Sequence, residues 1–283
     1  IDNLRYDQWK TIEPHVLKYY NKSNEEAYFS ILPTATQYAR NSLFSGLMPL
    51  DIYKKFPQYW KFDHEEGGKN LYEKELLLEN LKTLGLSNLK TEYIKITNLK
   101  KGKKLEEDFN SKLENDLIVL VYNFVDMLSH SKTEMEMIKE LASDDKSYRS
   151  LTASWFINSP LMGIIKQASE LNIKLVITTD HGTINVKNPT RVIGNKDLSS
   201  NLRYKTGRSL SYNDKEVISF VNPSTIGLPS VSINSPFVFA KDDNFFAYPN
   251  NFNHYVSYFK DTYQHGGVSM EEIIIPYVVL DPK

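Results

Sequence analysis

Asp116-Leu-Ile-Val-Leu-Val-Tyr-Asn-Phe124 is the strongest buried-strand signal in the chain. Its apolar run is continuous rather than alternating. That pattern belongs to a strand covered on both faces, as in a parallel sheet. Working outward, Leu151 to Leu171 has helical spacing, and Lys174 to Thr179 (KLVITT) reads as a second short buried strand. Upstream, Leu4, Trp9, Ile12, Val16, Leu17 and Tyr20 mark a helix bent or interrupted at Pro14. Ala27 to Leu32 reads as a strand, and Pro33 to Gly46 as a turn and a helix stopped by Gly46. This alternation predicts an α/β fold, an open, mostly parallel sheet with helices on both faces.

Residues 49–115 read as an insertion rich in Lys and Glu, with a helix at Leu71 to Leu84, a strand at Glu92 to Thr97 and a charged helix at Leu105 to Leu113. It is either a cap over a site or a solvated elaboration. After about residue 190 the pattern changes to short strands. Phe237-Val-Phe-Ala, the turn Lys241-Asp-Asp-Asn and Phe245-Phe-Ala-Tyr suggest a hairpin. Glu272 to Leu280 is a last apolar strand, and Pro276 suggests that it lies at an edge or a bulge. The whole is expected to be one domain of 283 residues. Its start at Ile1-Asp2 reads as a segment cut from a longer protein.

Composition narrows the chemistry. Lys plus Arg total 34 and Asp plus Glu 35, a net charge of −1, without the basic excess of a bulk nucleic-acid binder. With no cysteine there is no thiolate metal site and no cysteine nucleophile. Any metal must be held by His, Asp, Glu or a hydroxyl. No apolar run of about 18 residues is present, so no membrane insertion is expected.

In open α/β sheets ligands bind beyond the carboxyl ends of the strands. Those ends carry Asp2, Thr34 and Thr36, Asp126 and His130, and Asp180 and His181, while His265-Gly-Gly precedes the last strand. One Asp at a strand end is usually a turn former. Three Asp, three His and a hydroxyl at ends expected to face one crevice suit zinc, or Mn²⁺ as the second choice. Asp126 and His130 share a face if the chain enters a helix there. Asp180 and His181 both serve a site only where the strand ends, and Gly182 supplies such a turn. Thr34 or Thr36 is either the cap of the following helix or a hydroxyl placed where the helix N-terminus favours a phosphoryl group.

In the order Asp2, Thr36, Asp126-x-x-x-His130, Asp180-His181, His265, the chain resembles the alkaline phosphatase superfamily. Pro33 to Gly46 is similar to the Pro-Thr-x-Thr…Gly segment of its nucleotide pyrophosphatase/phosphodiesterase branch. His265-Gly-Gly-Val-Ser-Met-Glu-Glu-Ile-Ile-Ile-Pro276 resembles the superfamily's HGG-x-S-x-E-E-x-x-x-P stretch. Asp2-Asn-Leu-Arg-Tyr-Asp7, Thr36-Gln-Tyr-Ala-Arg-Asn41 and Thr179-Asp-His-Gly182 resemble a PglZ domain, and most of all one that ends a response regulator of type IX secretion. The resemblance implies two Zn²⁺, one held by Asp2, Thr36, Asp180 and His181, the other by Asp126, His130 and His265. Thr36 would be the nucleophile, with Thr34 as the fallback, and a phosphodiester, such as an oligonucleotide, the substrate. A phosphomonoesterase or mutase-like enzyme, and a non-catalytic regulatory module, are the competing readings. The resemblance also implies an upstream receiver domain, a possible homodimer and a cytoplasmic setting.

Five further residues are substrate-binding candidates. Arg40 lies one turn beyond Thr36 with Asn41 beside it, and Arg40 is more readily a structural ion-pair partner than a ligand-facing group. Arg203, Lys205 and Arg208 offer a second phosphate site or a solvated turn.

Overall fold

The computed structural model describes residues 1–123, 125–126, 140–142, 144–194, 199–230, 235–248 and 250–283. In chain order its elements are α1 (Tyr6–Val16), β1 (Tyr20–Phe29), α2 (Thr36–Ser45), α3 (Pro49–Lys55), α4 (Glu73–Thr83), β2 (Thr91–Ile96), α5 (Leu99–Asp108), β3 (Leu117–Tyr122), α6 (Asp145–Ile157), α7 (Pro160–Glu170), β4 (Leu175–Thr178), β5 (Ile184–Val186), β6 (Asn188–Arg191), β7 (Tyr204–Thr206), β8 (Val217–Phe220), β9 (Phe237–Ala240), β10 (Asn244–Ala247), α8 (Phe252–Phe259), β11 (Thr262–Gln264), α9 (Met270–Ile273) and β12 (Ile274–Pro282). The fold class is α/β, and no described helix is long and apolar enough to cross a membrane.

Two compact units share the chain. The first holds Ile1–Phe29, Asn88–Gly182 and Ile274–Lys283. Here the deciding stretch forms β3, paired in parallel with β2 from Thr91↔Leu117 to Ile96↔Tyr122. A second sheet runs β1-β12-β4, with β12 antiparallel to both neighbours. The start of the chain joins the two strands that matter for the site. Ile1 N–H donates to Thr178 O at 2.8 Å, and Asp2 N–H donates to Tyr122 O at 2.9 Å. Asp2 is thereby fixed at the carboxyl ends of β3 and β4. On α1, Trp9, Ile12 and Val16 are wholly buried, and Gln8 Nε2 donates to Thr152 Oγ1 of α6 at 2.8 Å.

Three expectations are corrected in this unit. The helix expected over 151–171 is two helices, because Pro160 has no N–H to continue a ladder and instead starts α7 at its first turn. The strand expected at Ala27 to Leu32 begins seven residues earlier, at Tyr20. It was hidden by its polar sequence, YNKSNEEAYF, which suits an edge strand whose side chains are mostly exposed. Pro276 lies in the middle strand, not at an edge. It stands before the stretch Tyr277 to Leu280 that pairs with β4, so its missing N–H interrupts no bond to that neighbour.

The second unit holds Ser30–Ser87 and Thr183–Ile273. Its core gathers Tyr38 of α2, Ile52, Trp60, Leu76, Tyr204, Leu228, Phe237 and Phe239. The helix predicted between Pro33 and Gly46 is α2, and Gly46 ends it in the left-handed conformation at φ 65°. Sheet β7-β9-β8 is antiparallel. The predicted turn at Lys241 forms, with Asn244 N–H on Lys241 O at 3.0 Å, but the hairpin does not. β10 leaves β9 and pairs in parallel with β6, and Phe246 N–H donates to Leu202 O at 2.8 Å. A turn signal fixes the local reversal, not the partner of the strand that follows. The stretch 49–115 is divided: 49–87 belong to this unit, while 88–115 belong to the first, where β2 extends the sheet of β3.

Candidate metal centre and nucleophile segment

Where β4 ends, the chain turns through Thr179, Asp180, His181 and Gly182. Asp2, Asp180 and His181 come together there, at 2%, 4% and 0% exposure, with one ligand atom from each within 4.8 Å of the others. Each group is oriented from behind. Asp180 Oδ1 accepts from Asn3 N–H at 3.3 Å, the Thr179 hydroxyl at 3.2 Å and His181 N–H at 3.1 Å. Asp2 Oδ2 accepts from Asn123 Nδ2 at 2.8 Å. His181 Nδ1 lies 3.0 Å from Gly182 O, which makes it the protonated nitrogen and turns Nε2 toward Asp180 Oδ2 at 3.6 Å. The turn is closed by Asn3 at φ 62°, a conformation Asn tolerates, and by Leu4 N–H on Thr179 Oγ1 at 3.1 Å.

Two carboxylates held close together out of water repel each other and lose hydration. A divalent cation removes both penalties. Two carboxylates and an Nε2 imidazole tied through Nδ1 to a carbonyl form a donor set for zinc or manganese. Asn3, Asn123 and Thr179 are the orienting residues that ligand-type reasoning overlooked. Their one signal in the sequence is adjacency to a strand-end ligand or a place at the strand end itself. Asp126 is joined to this cluster by Asn3 Nδ2 at 3.5 Å. His130 lies outside the described residues.

The second unit carries Thr36, Arg40, Asn41 and His265. Thr36 is the first residue of α2 and is partly exposed. The N-cap is Ala35, and no side chain caps the helix, so neither threonine has the capping role. Thr34 is wholly buried and locks two segments together. Its hydroxyl donates to Gly267 O at 2.9 Å and accepts from Gly266 N–H at 3.0 Å, while its carbonyl faces His265 Nδ1 at 3.1 Å. That contact sets the tautomer of His265 as Gly182 does for His181, with the proton on Nδ1. A Thr34 hydroxyl engaged on both sides is a poor nucleophile.

The HGG-x-S-x-E-E stretch is a frame around Arg203. Glu272 accepts from Arg203 Nη2 at 2.7 Å, Arg203 Nε at 3.1 Å and Gly267 N–H at 2.9 Å, and its own N–H donates to Ser269 Oγ at 3.2 Å. Arg203 also donates to the carbonyls of Asp242, at 2.8 Å, and Asn244. A Cβ on Gly267 would meet Ala240 O at 2.7 Å and Arg203 Cζ at 2.8 Å, so only glycine fits. Arg203 and Glu272 are fully buried, which corrects the reading of Arg203 as a phosphate ligand. Lys205 is buried as well, donating to Ser199 O at 2.7 Å and lying 4.6 Å from the Tyr248 ring centroid. Burial pulls its ammonium down to about 8. Arg208 is exposed, so the expected trio does not act as one patch. Arg40, at 2% exposure, pairs with Glu73 at 3.4 Å.

The class these features define is the alkaline-phosphatase-like fold. Phosphonoacetate hydrolase from Sinorhizobium meliloti 1021, solved with phosphonoformate and with phosphonoacetate, superposes with a TM-score of 0.60 in both cases. The alignments cover 98% of this chain and 87% of that one, at 10% and 9% identity, a likeness of fold. Within this class the chain belongs to the PglZ family: the family model of the BREX system PglZ alkaline phosphatase-like domain matches residues 1–280. A comparison with curated proteins gives no match.

Proposed function

We propose that the domain is a metal-dependent phosphodiesterase with Thr36 as its nucleophile. The observation that carries this reading is the buried Asp2–Asp180–His181 cluster with its orienting layer, in a chain of an alkaline-phosphatase-like family. Asp2, Asp180 and His181 would hold one zinc with Thr36, and Asp126, His130 and His265 a second. Bound metal would neutralise charge on the phosphoryl oxygens and the leaving oxygen, and lower the pKa of the attacking hydroxyl. Thr36 Oγ attacks phosphorus, the P–O bond to the departing alcohol breaks, and that alcohol leaves with a proton. Water then cleaves the phosphothreonine, returning the Thr36 hydroxyl and releasing a phosphomonoester. The first-turn N–H groups of α2 favour the phosphoryl oxygens during transfer. Thr36 rather than Thr34 is supported by the commitment of the Thr34 hydroxyl to Gly266 and Gly267.

The test is hydrolysis of an aryl phosphodiester beside the aryl monoester, with chelator and with Thr36→Val. Diester turnover lost in both arms supports the reading. A faster monoester rate assigns a phosphomonoesterase instead, and no turnover of either ester by metal-loaded protein leaves a regulatory module. We also propose, on the motif resemblance of the sequence, control by an upstream receiver domain in the cytoplasm, through a homodimer. Measuring the mass of the full-length protein with and without a phosphoryl mimic tests that part.

A further inference from the structure

Residues 61–70 run along α2. Gln37 Nε2 donates to Lys61 O at 2.6 Å, the Tyr38 hydroxyl lies 3.3 Å from both oxygens of Asp63, and Asn41 Nδ2 donates to Lys69 O at 3.3 Å. This packing encloses polar groups with unmet demands. Lys69 Nζ is shut off from solvent and makes no hydrogen bond among the described residues; nor does Oδ1 of Asn41, a residue only 1% exposed. Asp63 is within electrostatic reach of Lys69 and of Lys205, but the hydroxyls of Tyr38 and Tyr204 already occupy it. Glu65 and Glu66 are exposed, and Glu73, the first carboxylate after Lys69, is taken by Arg40 and by Asn70 Nδ2 at 2.6 Å. Two ammonium groups therefore face one engaged carboxylate.

An ammonium whose three donors go unused in a half-buried side chain is relieved best by an oxyanion. We propose that Lys69 and Asn41 form a subsite for a phosphate group on a sugar, Lys69 donating to the phosphate and Asn41 Oδ1 accepting from a hydroxyl beside it. This deepens the phosphodiesterase reading, because the ligand would be a second anionic group of the same substrate. Phosphodiesters bearing another phosphate, as short oligonucleotides do, would be preferred over simple diesters.

The test needs no turnover. The whole domain, kept in chelator so that metal cannot bind the anion, is titrated with adenosine 5′-monophosphate, inorganic phosphate and adenosine, and thermal stabilisation is followed. The wild type is expected to respond to the monophosphate most, to phosphate less and to adenosine least. In Lys69→Met the half-saturating monophosphate concentration is expected to rise about tenfold or more, the worth of one charge-assisted hydrogen bond. Lys69→Arg restores part of it, and Lys74→Met, which removes an exposed charge on α4, leaves the response as in the wild type. Without ligand, Lys69→Met is expected to melt no lower than the wild type, since it removes an unsatisfied charge. Equal monophosphate responses in wild type and Lys69→Met, no response in the wild type, or a lower ligand-free melting point in Lys69→Met would each overturn the subsite. Phosphate binding intact in a protein that hydrolyses no ester would sink the enzymatic reading alone.

Discussion

Replacing Glu272 with alanine tests whether the HGG stretch is a frame built around one buried charge. Glu272 and Arg203 are both wholly buried, and three donors converge on the carboxylate: Arg203 Nε, Arg203 Nη2 and Gly267 N–H. In Glu272→Ala the guanidinium keeps only carbonyl partners and has no countercharge. Breaking a buried pair from one side costs about 3–5 kcal/mol. For a protein of this size each kcal/mol moves the melting point by about 2–4 °C, so a fall of roughly 6–20 °C follows. Because Gly267 loses an acceptor in the segment that positions His265, metal binding should weaken in the same variant. Differential scanning calorimetry of Glu272→Ala, of Arg203→Met and of the double variant is the assay. The double variant should recover much of the loss, since neither charge is then left alone. A fall below about 1 kcal/mol, the size of a surface pair, would refute the reasoning, as would strictly additive losses.

Three other outcomes follow from the same geometry. Asn123→Ala removes the donor that orients Asp2 Oδ2 and should weaken metal affinity by about 10–100-fold, read by competition with a metallochromic dye, with little change in melting point of the metal-free protein. Gly267→Ala should destabilise the protein as severely as Glu272→Ala, because its Cβ meets the Ala240 carbonyl at 2.7 Å; a melting point unchanged from wild type would contradict the packing. Burial pushes Glu25 up, but hydrogen bonds from Lys22, Lys10, Tyr6 and Trp9 outweigh it and hold the carboxyl at about 2. A folded pKa below the unfolded value of about 4.3 stabilises the ionised form, so this contribution is complete above that pH and fades as pH falls toward about 2. Melting curves across that window should flatten in Glu25→Gln.

β3 and β4 were legible as strands because both are spelled in apolar runs, but the expected burial on both faces is not found: only Val121 and Tyr122 of β3 and Ile177 of β4 are buried, and Val176 is exposed at the edge of its sheet. Also legible was α2, whose Gly46 stop needs a positive φ. Asp2, Asp180 and His181 converge as their strand-end positions implied, because the Ile1–Asp2 backbone bonds to the carboxyl ends of β4 and β3. What the sequence concealed depends on partners distant along the chain. β1 is polar because it lies at an edge, and β10 pairs with β6 rather than with the strand across its turn. Arg203 looks like an anion ligand until Glu272, 69 residues away, is seen to hold it. Lys205, in a stretch of turn-like composition, is buried in β7. Charge says nothing of burial until the fold supplies the neighbours.

The most direct test of the central claim is the metal content of the purified domain, measured by mass spectrometry of the ions in wild type, Asp2→Ala and Asp180→Ala. The account predicts about two zinc or manganese ions per chain in the wild type and a loss in each variant, with circular dichroism unchanged. A wild-type domain that binds no ion even from excess zinc, or variants that bind as much as the wild type, would contradict it.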